Sequence, residues 1–418
     1  MAWTCEDCQY DNEDNAADTS ICVVCEAKKS VCSSSPSSFF SSSSLTSAAG
    51  TLAAGSVLPS FGIKRSRDEE HGDNGSERRP PPSTREPLCF FTQNVNGLSK
   101  LLNSFPQQFS DLVADVKPDV LSFSEVWVIG NPVAPGQPLG DSKDAKALAP
   151  LPHFGQRYWS LNTSARKGGL LVALRDGVER PSFVSSSLSA AASTADLRGY
   201  APSSPLTSLA HTHGGRVLVL GYPSFLFVSL YMPNIGDGSD LAKLQFRRYM
   251  DDDLKAFARA AREAGKPLLV VGDLNVSPAE LDVSHPFSWP DKFKAGNTAE
   301  ERGRFGELLA AGGLVDLWRE HHPAPPLADK AYLEGHNFTW RGAGMNRNYA
   351  MRIDHALCSQ DFADRVLSVD ILGDHRRETF MGSDHCPLVV KLRPNGEVAP
   401  PSPSFSSSPS SSTYSDSE

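Results

Sequence analysis

The sequence lacks any apolar run long enough to cross a membrane. A membrane helix needs about 20 consecutive, mostly apolar residues, and the apolar stretch at 216–232 is interrupted by Gly221, Pro223 and Ser224. Residues 1–15 are acidic and have no basic start followed by an apolar segment, which is the pattern of a secretion signal. We therefore expect a soluble intracellular protein in which residues 216–232 form a hairpin of two core strands.

The sequence also lacks the excess of positive charge that is typical of proteins with a strongly basic DNA-binding fold. Its formal net charge is -9 at pH 7, and most of the negative charge lies near the two ends. Residues 1–29 carry -5, residues 30–86 are neutral, residues 87–394 carry -1 and residues 395–418 carry -3. Composition therefore neither requires nor excludes DNA, and a polyanion would have to bind at a local patch.

Cysteine is scarce, with eight residues in 418, yet four of the eight form a regular pattern. Residues 3–25 read W-x-C-x2-C-x3-N-x9-C-x2-C. Two such cysteine pairs can hold one Zn²⁺ tetrahedrally, and so short a segment cannot fold on buried apolar surface alone. We predict a zinc finger over residues 1–29. Its ligands would be Cys5, Cys8, Cys22 and Cys25.

The order of Trp3, the cysteines and Asn12 resembles the small zinc finger of Ran-binding nucleoporins and ubiquitin-binding adaptors. In that family a Thr-Phe pair after the second cysteine binds ubiquitin, whereas basic and aromatic residues bind single-stranded RNA. Gln9 and Tyr10 stand at these positions, and the surrounding acidic residues would repel RNA. The resemblance implies ubiquitin or another protein as the partner, and a zinc-stapled module of other purpose is equally consistent with the sequence.

Two segments have compositions that do not support a packed core. Residues 30–86 are rich in serine and then in charge and proline, and residues 395–418 are rich in serine and proline. Burial in such segments cannot offset the entropy of ordering, so we predict a disordered linker and tail around a large domain at 87–394. Basic residues at 64–67 and 78–79 could form a nuclear import signal, although a solvated charge run explains them more simply. The predicted location is the nucleus, otherwise the cytoplasm.

Within the large domain, apolar runs typical of strands alternate with helical segments. The clearest helix follows Asp240 and ends near Gly265, and Thr298 with Glu301 forms the capping-box pattern of another. Strands of alternating and continuous apolar character with helices between them indicate an α/β fold, in which two sheets pack face to face and helices cover them. Residues 176–215, rich in serine, alanine and proline, are expected to form a surface insertion.

Polar residues follow the apolar strands of this domain, at the points where the strands end. Taken singly, each could be a turn residue, a helix cap or a buried imidazole. Taken together, they offer the carboxylate and amide oxygens that Mg²⁺ prefers, together with an imidazole, and this set indicates phosphoester hydrolysis. The residues are Asn94, Asn96, Glu125, Tyr231, Asn234, Asp273, Asn275, Asp354, Asp384 and His385.

The motifs around these residues resemble the endonuclease/exonuclease/phosphatase superfamily over residues 88–393. They are most similar to the exonuclease III type of apurinic/apyrimidinic (AP) endonuclease. The resemblance implies a four-layered αββα sandwich of the deoxyribonuclease I type. It also implies Mg²⁺-dependent or Mn²⁺-dependent incision of DNA on the 5′ side of abasic sites, 3′-end trimming and a place in base excision repair. The motifs are TQNVNGL, SFSEVW, YMPNIGDG, GDLNVSP, MRIDHALCS and GSDHCPL.

The resemblance also implies roles for individual residues. The metal ligands would be Glu125, Asn96 and Asp384. The catalytic residues would be Asp273, which activates water with help from Asn275; His385, held by Asp354, which stabilises charge on the phosphate; and Tyr231. The substrate-binding residues would be Asn94 and Asn234, which contact phosphate, and Trp340, Met351 and Ile353, which form an apolar slot for a base-less sugar. Core packing accounts equally well for the last three.

Four positions depart from the family pattern, and one of them is Ser124, which replaces the usual glutamine. Ser99 and Trp127 stand where cations are common, and Asp237 stands where eukaryotic relatives carry an arginine that reaches the DNA. Loss of such cations weakens binding to phosphates without altering the metal chemistry. The expected partner is DNA with abasic or blocked ends. We expect the protein to be a monomer and not to bind a membrane.

Two alternatives remain open from the sequence. The first is a tyrosyl-DNA phosphodiesterase of the same fold, which would suit a ubiquitin-binding finger. The second is an interaction adaptor that pairs the zinc finger with an inactive catalytic domain, and the intact set of polar residues argues against it.

Overall fold

The computed structural model describes most of the predicted catalytic domain. The predicted zinc ligands, and nearly all of the predicted linker and tail, lie outside the described residues, so the finger and the domain boundaries stay predictions. Near the N-terminus, β1 (Trp3–Thr4) and β2 (Asp11–Asn12) pair antiparallel, with Trp3 opposite Asn12. The described residues are 3–4, 11–12, 85–128, 151–161, 168–202, 215–284, 295–323, 338–342, 349–373 and 380–397.

One six-stranded sheet, called here sheet I, has the strand order β15-β16-β3-β4-β6-β5. β3 and β4 are parallel, and every other neighbouring pair in the sheet is antiparallel. Its strands are β3 (Cys89–Asn94), β4 (Val120–Ser124), β5 (Gln156–Ser160), β6 (Leu170–Leu174), β15 (Val366–Ile371) and β16 (Leu388–Leu392).

A second six-stranded sheet, called here sheet II, has the strand order β11-β14-β10-β9-β8-β7. β9 and β10 are parallel, and the remaining pairs are antiparallel. Its strands are β7 (Phe183–Ser185), β8 (Val217–Gly221), β9 (Leu226–Tyr231), β10 (Leu268–Asp273), β11 (Leu314–Asp316) and β14 (Asp354–Ser359). Two further strands, β12 (Trp340–Arg341) and β13 (Ala350–Met351), pair with each other.

Six α-helices lie between the strands of the described domain. They are α1 (Leu98–Ser104), α2 (Pro106–Val116), α3 (Leu188–Thr194), α4 (Leu241–Glu263), α5 (Ala299–Gly312) and α6 (Leu317–His321). Two 3-10 helices cover Glu280–Asp282 and Gln360–Arg365. Among the described residues, no helix combines the length and apolar character that a membrane span requires.

Successive side chains along the strands of sheet II pack into two different hydrophobic cores, one on each face of the sheet. In β8, Val217 and Val219 pack in a cluster with α3, α4 and α5, whereas Leu218 and Leu220 pack in a cluster shared with sheet I. Successive residues of a strand face opposite sides of a sheet, so a strand covered on both sides reads as the continuous apolar run VLVLG. The α/β prediction and the predicted hairpin at 216–232 are both confirmed.

The domain therefore has four layers, in the order helices, sheet I, sheet II and helices. On the outer face of sheet I, Leu101 and Phe109 from α1 and α2 pack against Phe91 and Phe123. On the outer face of sheet II, the long amphipathic helix α4 buries one stripe of side chains, including Phe257. This is the layered arrangement expected when two amphipathic sheets bury each other and helices cover their remaining apolar faces.

The prediction of a surface insertion at 176–215 is wrong for its described part, 176–202. β7 forms the edge of sheet II, and α3 packs on that sheet with Leu188, Ala191 and Ala192 buried. The serine-rich composition concealed this helix because its buried face consists largely of alanines. Alanine buries little area but allows close packing of a helix against a sheet, so the apolar periodicity is weak.

The capping box predicted at the start of α5 is present. Glu301 N donates to Thr298 Oγ1 at 3.1 Å, and Thr298 N donates to Glu301 Oε2 at 3.2 Å. The other carboxylate oxygen, Oε1, accepts from Gly296 N at 3.0 Å. The box therefore both starts the helix and holds the loop that precedes it.

We expect Thr298→Ala to lower the free energy of unfolding by about 1 kcal/mol, because it removes one capping acceptor. Urea denaturation followed by circular dichroism measures this. Thr194→Ala is a matched control: Thr194 is exposed near the end of α3 and bonds back to the carbonyl of Ala190. Its replacement should change stability by less than about 0.5 kcal/mol. Equal losses in the two variants would contradict a capping role.

Candidate active site

The strand topology brings the predicted polar residues to one end of the sandwich. Because β3 and β4 are parallel, Asn94 at the end of β3 lies opposite Ser124, directly before Glu125. In sheet II, Asp273 at the end of β10 lies opposite Tyr231 on one side and Asp354 on the other. Five residues from four strands and one loop thus meet where the two sheets open.

A cavity of about 410 Å³ lies at this end of the described domain. Its wall contains most of the predicted site, whereas Asn94 and Asp354 do not line it and lie behind residues that do. The predicted residues in the wall are Asn96, Glu125, Tyr231, Asn234, Asp273, Asn275, Trp340, Met351, Ile353, Asp384 and His385.

Asn94 lies between two of the predicted site carboxylates. Only 1% of its surface is exposed, and its Nδ2 donates to Glu125 Oε1 at 2.9 Å and to Asp273 Oδ2 at 3.0 Å. A buried amide that joins two carboxylates holds them at a set separation, and it offsets part of their repulsion. Asn94 is therefore a bridge between the two acids, and its contact with phosphate stays a prediction.

Asp273 is almost fully buried, at 1% exposure. Its Oδ1 accepts the backbone N–H of Asn275 at 2.9 Å, and its Oδ2 accepts from Asn94. Burial and, less strongly, the nearby Asp354 raise the pKa of Asp273 to about 7, although His385 partly offsets the increase. A carboxylate with a pKa near neutrality is a suitable proton acceptor.

Asp273 depends on a glycine at the preceding position. Gly272 has a φ of +133°, and a Cβ at this residue would lie 2.0 Å from the carbonyl oxygen of Leu230. Only glycine permits so close an approach of β9 and β10. The glycine of the GD-x-N motif therefore has a packing explanation, independent of the chemistry of its neighbours.

The predicted pair of Asp354 and His385 is formed. Asp354 Oδ2 lies 2.7 Å from His385 Nδ1, and both residues are buried. Burial by itself lowers the pKa of His385, but the carboxylates of Asp354 and Asp273 outweigh it and raise the pKa to about 10. His385 is therefore a buried cation at neutral pH.

The three predicted metal ligands present oxygen atoms to the same cavity. Asn96 Nδ2 donates to Asp384 Oδ1 at 3.1 Å, and Glu125 accepts from the Tyr231 hydroxyl at 2.8 Å. Burial raises the pKa of Tyr231 well above its usual value, with Glu125 adding to the increase, so the phenol keeps its proton and donates. Two carboxylates and an amide, with space for water, fit a hard divalent cation.

A second acidic group, partly behind the same wall, is a weaker candidate for a metal site. Ligand atoms of Asp273, Asp354 and His385 lie within 4.8 Å of one another. Two of the three are already joined by the short bond between the carboxylate and the imidazole. That bond, and the positive charge of the imidazole, make this trio better suited to moving or holding protons.

Several backbones at the site adopt left-handed conformations that non-glycine residues rarely adopt. Asn96, Glu125, Trp127 and Asn275 have φ angles of 46°, 50°, 57° and 49°. Asparagine tolerates this region, but glutamate and tryptophan do so at a cost of about 1 kcal/mol or more each. Such strain persists where the surrounding structure imposes it, and it concentrates at functional sites.

The three residues predicted for the apolar slot form a small cluster. Met351 and Ile353 pack with Val283, and Trp340 lies against them half-buried. Trp340 Nε1 donates to Asp384 Oδ2 at 3.0 Å, which places the indole beside a proposed metal ligand. These side chains both pack together and line the cavity, so core packing is observed and the sugar slot stays a prediction.

Sequence reasoning missed the residues that hold the site from behind. Arg247 of α4 is 3% exposed and donates to the carbonyls of Pro233 and Asn275, which fixes two loops of the cavity wall. Ser383 donates to the carbonyl of Asn94 and accepts from His385 N. The available signal was weak: an arginine on the apolar stripe of a helix, and a serine beside the Asp-His pair.

Comparisons with known proteins agree with this architecture. Residues 91–385 match the sequence model of the Endonuclease/Exonuclease/phosphatase family. A DNA-(apurinic or apyrimidinic site) endonuclease of Arabidopsis thaliana is 30% identical over 361 residues, which are 79% of this chain and 92% of that protein. The DNA repair nuclease APEX1 of Danio rerio is 35% identical over 182 residues, 44% of this chain and 53% of that protein.

A solved structure supports the same fold. The crystal structure of the AP endonuclease LMAP from Leishmania major superposes with a TM-score of 0.52, at 22% identity, covering 74% of this chain and 88% of that chain. At this identity the likeness concerns the fold alone. The family match, in contrast, spans more than half of the sequence and includes every polar strand end described above. The chain therefore belongs to the endonuclease/exonuclease/phosphatase family.

Proposed function

We propose that this protein is a DNA repair nuclease that hydrolyses the phosphodiester bond on the 5′ side of abasic sites and also trims 3′ ends. The observation that carries the proposal is the pairing, in one cavity, of a buried carboxylate of raised pKa with a buried imidazolium: Asp273 and His385. Relatives named as AP endonucleases and as a DNA repair nuclease support this choice of substrate.

In the proposed reaction, Asp273 accepts a proton from a water molecule as the water oxygen forms a bond to phosphorus. The bond between phosphorus and the leaving sugar oxygen breaks, and that oxygen takes up a proton. Asn94 and the backbone N–H of Asn275 hold the Asp273 carboxylate in place through bonds to its two oxygens. His385, kept protonated by Asp354, faces the negative charge that accumulates on the phosphate.

The metal ion in this proposal is Mg²⁺, or Mn²⁺, held by Glu125, Asn96 and Asp384. When bound, it polarises the phosphoryl oxygens and offsets their charge. The residues themselves supply orientation: Tyr231 donates to Glu125, and Trp340 donates to Asp384. Hydrogen bonds to ligating carboxylates fix their rotamers and therefore the shape of the ion site.

The remaining parts of the chain extend the proposal. The finger formed by the four N-terminal cysteines would bind zinc and recruit a protein partner, with ubiquitin as the first candidate. Nuclear location follows only from the repair function and the basic residues of the linker. Neither part is needed for the chemistry proposed above.

The test is incision of defined duplexes by the full chain with Mg²⁺. One duplex carries an abasic-site analogue, one carries a 5′-tyrosyl end, and one has no lesion. Selective cutting on the 5′ side of the analogue, abolished by a chelator, is expected. Release of tyrosine alone would assign the chain to the phosphodiesterase alternative, and inactivity on all three duplexes would favour the adaptor.

A further inference from the structure

Trp127 is an exposed aromatic side chain at the edge of the site. Its exposure is 39%, and the other large apolar side chains exposed to this degree in the described part of the chain are Leu241 and Leu367. Trp127 lies two residues after Glu125, and its backbone φ of 57° is unfavourable for a bulky residue. Neither the exposure nor the backbone conformation stabilises the fold, so the position calls for another explanation.

Three contacts hold the indole in one orientation. Trp127 Nε1 donates to Glu125 Oε2 at 3.1 Å, and its backbone N–H donates to the carbonyl of Gly168 at 3.1 Å. Part of the ring lies against Gly97, where a Cβ would approach the indole Cε3 to 3.0 Å. Gly97 has a φ of +104°, so it supplies both the turn and the space for the ring.

The contact with Glu125 connects the indole to the reacting centre. Glu125 Oε1 accepts from Asn94 and Tyr231, and Oε2 accepts from Trp127. Glu125 lines the cavity that would hold the scissile phosphate, and Trp127 contacts Glu125 from just outside the wall, so a DNA strand that leaves the cavity past Glu125 would meet the indole. The base missing from an abasic site leaves a flat apolar face of a neighbouring base uncovered, and such a face is the natural partner of an exposed indole.

We propose that the exposed indole of Trp127 stacks on a nucleobase that flanks the scissile phosphate. This inference rests on the proposed function, since it takes DNA as the occupant of the cavity. A stacking contact tolerates any base and carries no charge. It therefore adds affinity without adding salt dependence, at a cavity whose wall carries the acidic Asp237.

Binding of a fluorescein-labelled duplex with an abasic analogue, followed by anisotropy in EDTA, tests the proposal without catalysis or metal. Trp127→Gln keeps an amide donor for Glu125 but removes the aromatic face, and should weaken binding about tenfold. Trp127→Phe keeps an aromatic face but lacks the hydrogen-bond donor to Glu125, and it should bind nearly as tightly as the wild type. Leu367→Gln, which removes another exposed apolar side chain outside the cavity wall, serves as the matched control and should bind as the wild type does.

Two further measurements separate stacking from a general structural effect. DNA should quench the tryptophan fluorescence of the wild type more than that of Trp127→Phe. Trp127→Lys should restore binding at low salt, with the slope of log K against log salt steeper by about 0.9, the value for one added phosphate contact. Thermal melting should show that all variants fold.

The proposal is overturned if Trp127→Gln binds as tightly as the wild type, or if Trp127→Phe loses as much affinity as Trp127→Gln. These outcomes are independent of the test of function. A wild type that binds DNA, loses affinity in Trp127→Gln and cuts no abasic duplex would keep the stacking contact and overturn the proposed reaction. Normal incision by the wild type, with unchanged binding in Trp127→Gln, would keep the proposed reaction and overturn the stacking contact.

Discussion

Asp273→Asn is expected to lower kcat on an abasic duplex by about 10²- to 10⁴-fold, the usual contribution of a general base. The amide has nearly the shape of the carboxylate but cannot take a proton from water. Since Asp273 is buried and does not need to contact the DNA directly, binding of the duplex in EDTA should change little. Single-turnover incision at saturating enzyme, where product release does not limit the rate, measures the chemical step.

The matched control is Asp196→Asn, because the Asp196 side chain is 78% exposed and pairs only loosely with Arg198 at 3.6 Å. This variant should cut at the wild-type rate. In the wild type, turnover should rise with pH through about 7, where Asp273 loses its proton. Turnover of Asp273→Asn at the wild-type level would refute the assignment of the base and would require another proton acceptor in the cavity.

Asp354→Asn is expected to lower turnover at pH 8 by about 10²- to 10³-fold, the cost of losing one electrostatic contact to the transition state. The carboxylate is the main group that raises the pKa of His385. Without this carboxylate, only the weaker effects of Asp273 and Asp384 oppose the lowering of the His385 pKa by burial. The pKa of His385 then falls, and the imidazole becomes neutral at pH 8.

The pH dependence of kcat distinguishes this explanation from a simple loss of structure. The wild type should be most active between about pH 7 and about pH 10, where Asp273 is ionised and His385 is protonated. In Asp354→Asn the alkaline limit should move to lower pH. His385→Ala added to Asp354→Asn should cost little more than either change alone, because the two side chains act as a unit. An unchanged alkaline limit would contradict the role of Asp354.

The same pair affects folding in the metal-free protein. The pKa of His385 in the folded state lies above its usual value of 6.5, so the ion pair stabilises the fold fully below about pH 6.5. That contribution is lost as pH rises through about 10. Urea denaturation in EDTA should therefore show the free energy of unfolding falling over this interval, and the fall should be smaller in Asp354→Asn.

Much of the domain could be predicted because its signals are local. The hairpin at 216–232, helix α4 and the capping box at Thr298 and Glu301 depend on periodicity and on residues close in sequence. The short helix α3 escaped prediction because its buried face is made of alanine. Its packing against α4 and sheet II, rather than its own sequence, stabilises it.

The composition of the site followed from sequence, since acids, amides and an imidazole end successive apolar strands. The functions of individual side chains did not follow as directly. Asn94 was expected to contact phosphate, and no feature of the sequence indicated that it joins Glu125 to Asp273. Asn275 contacts Asp273 through its backbone N–H, while its side chain bonds to Asn234 and to the carbonyl of Met232.

The sequence by itself therefore determined the alternating sheets and helices, the family and the set of chemically capable residues. The tertiary structure alone decided which atoms meet. Asn94 and Asp273 are 179 positions apart, and their contact depends on how β3 of one sheet faces β10 of the other. The physical reason is that hydrogen bonds and pKa shifts depend on distances of a few ångströms and on burial, and both arise only when the two sheets pack.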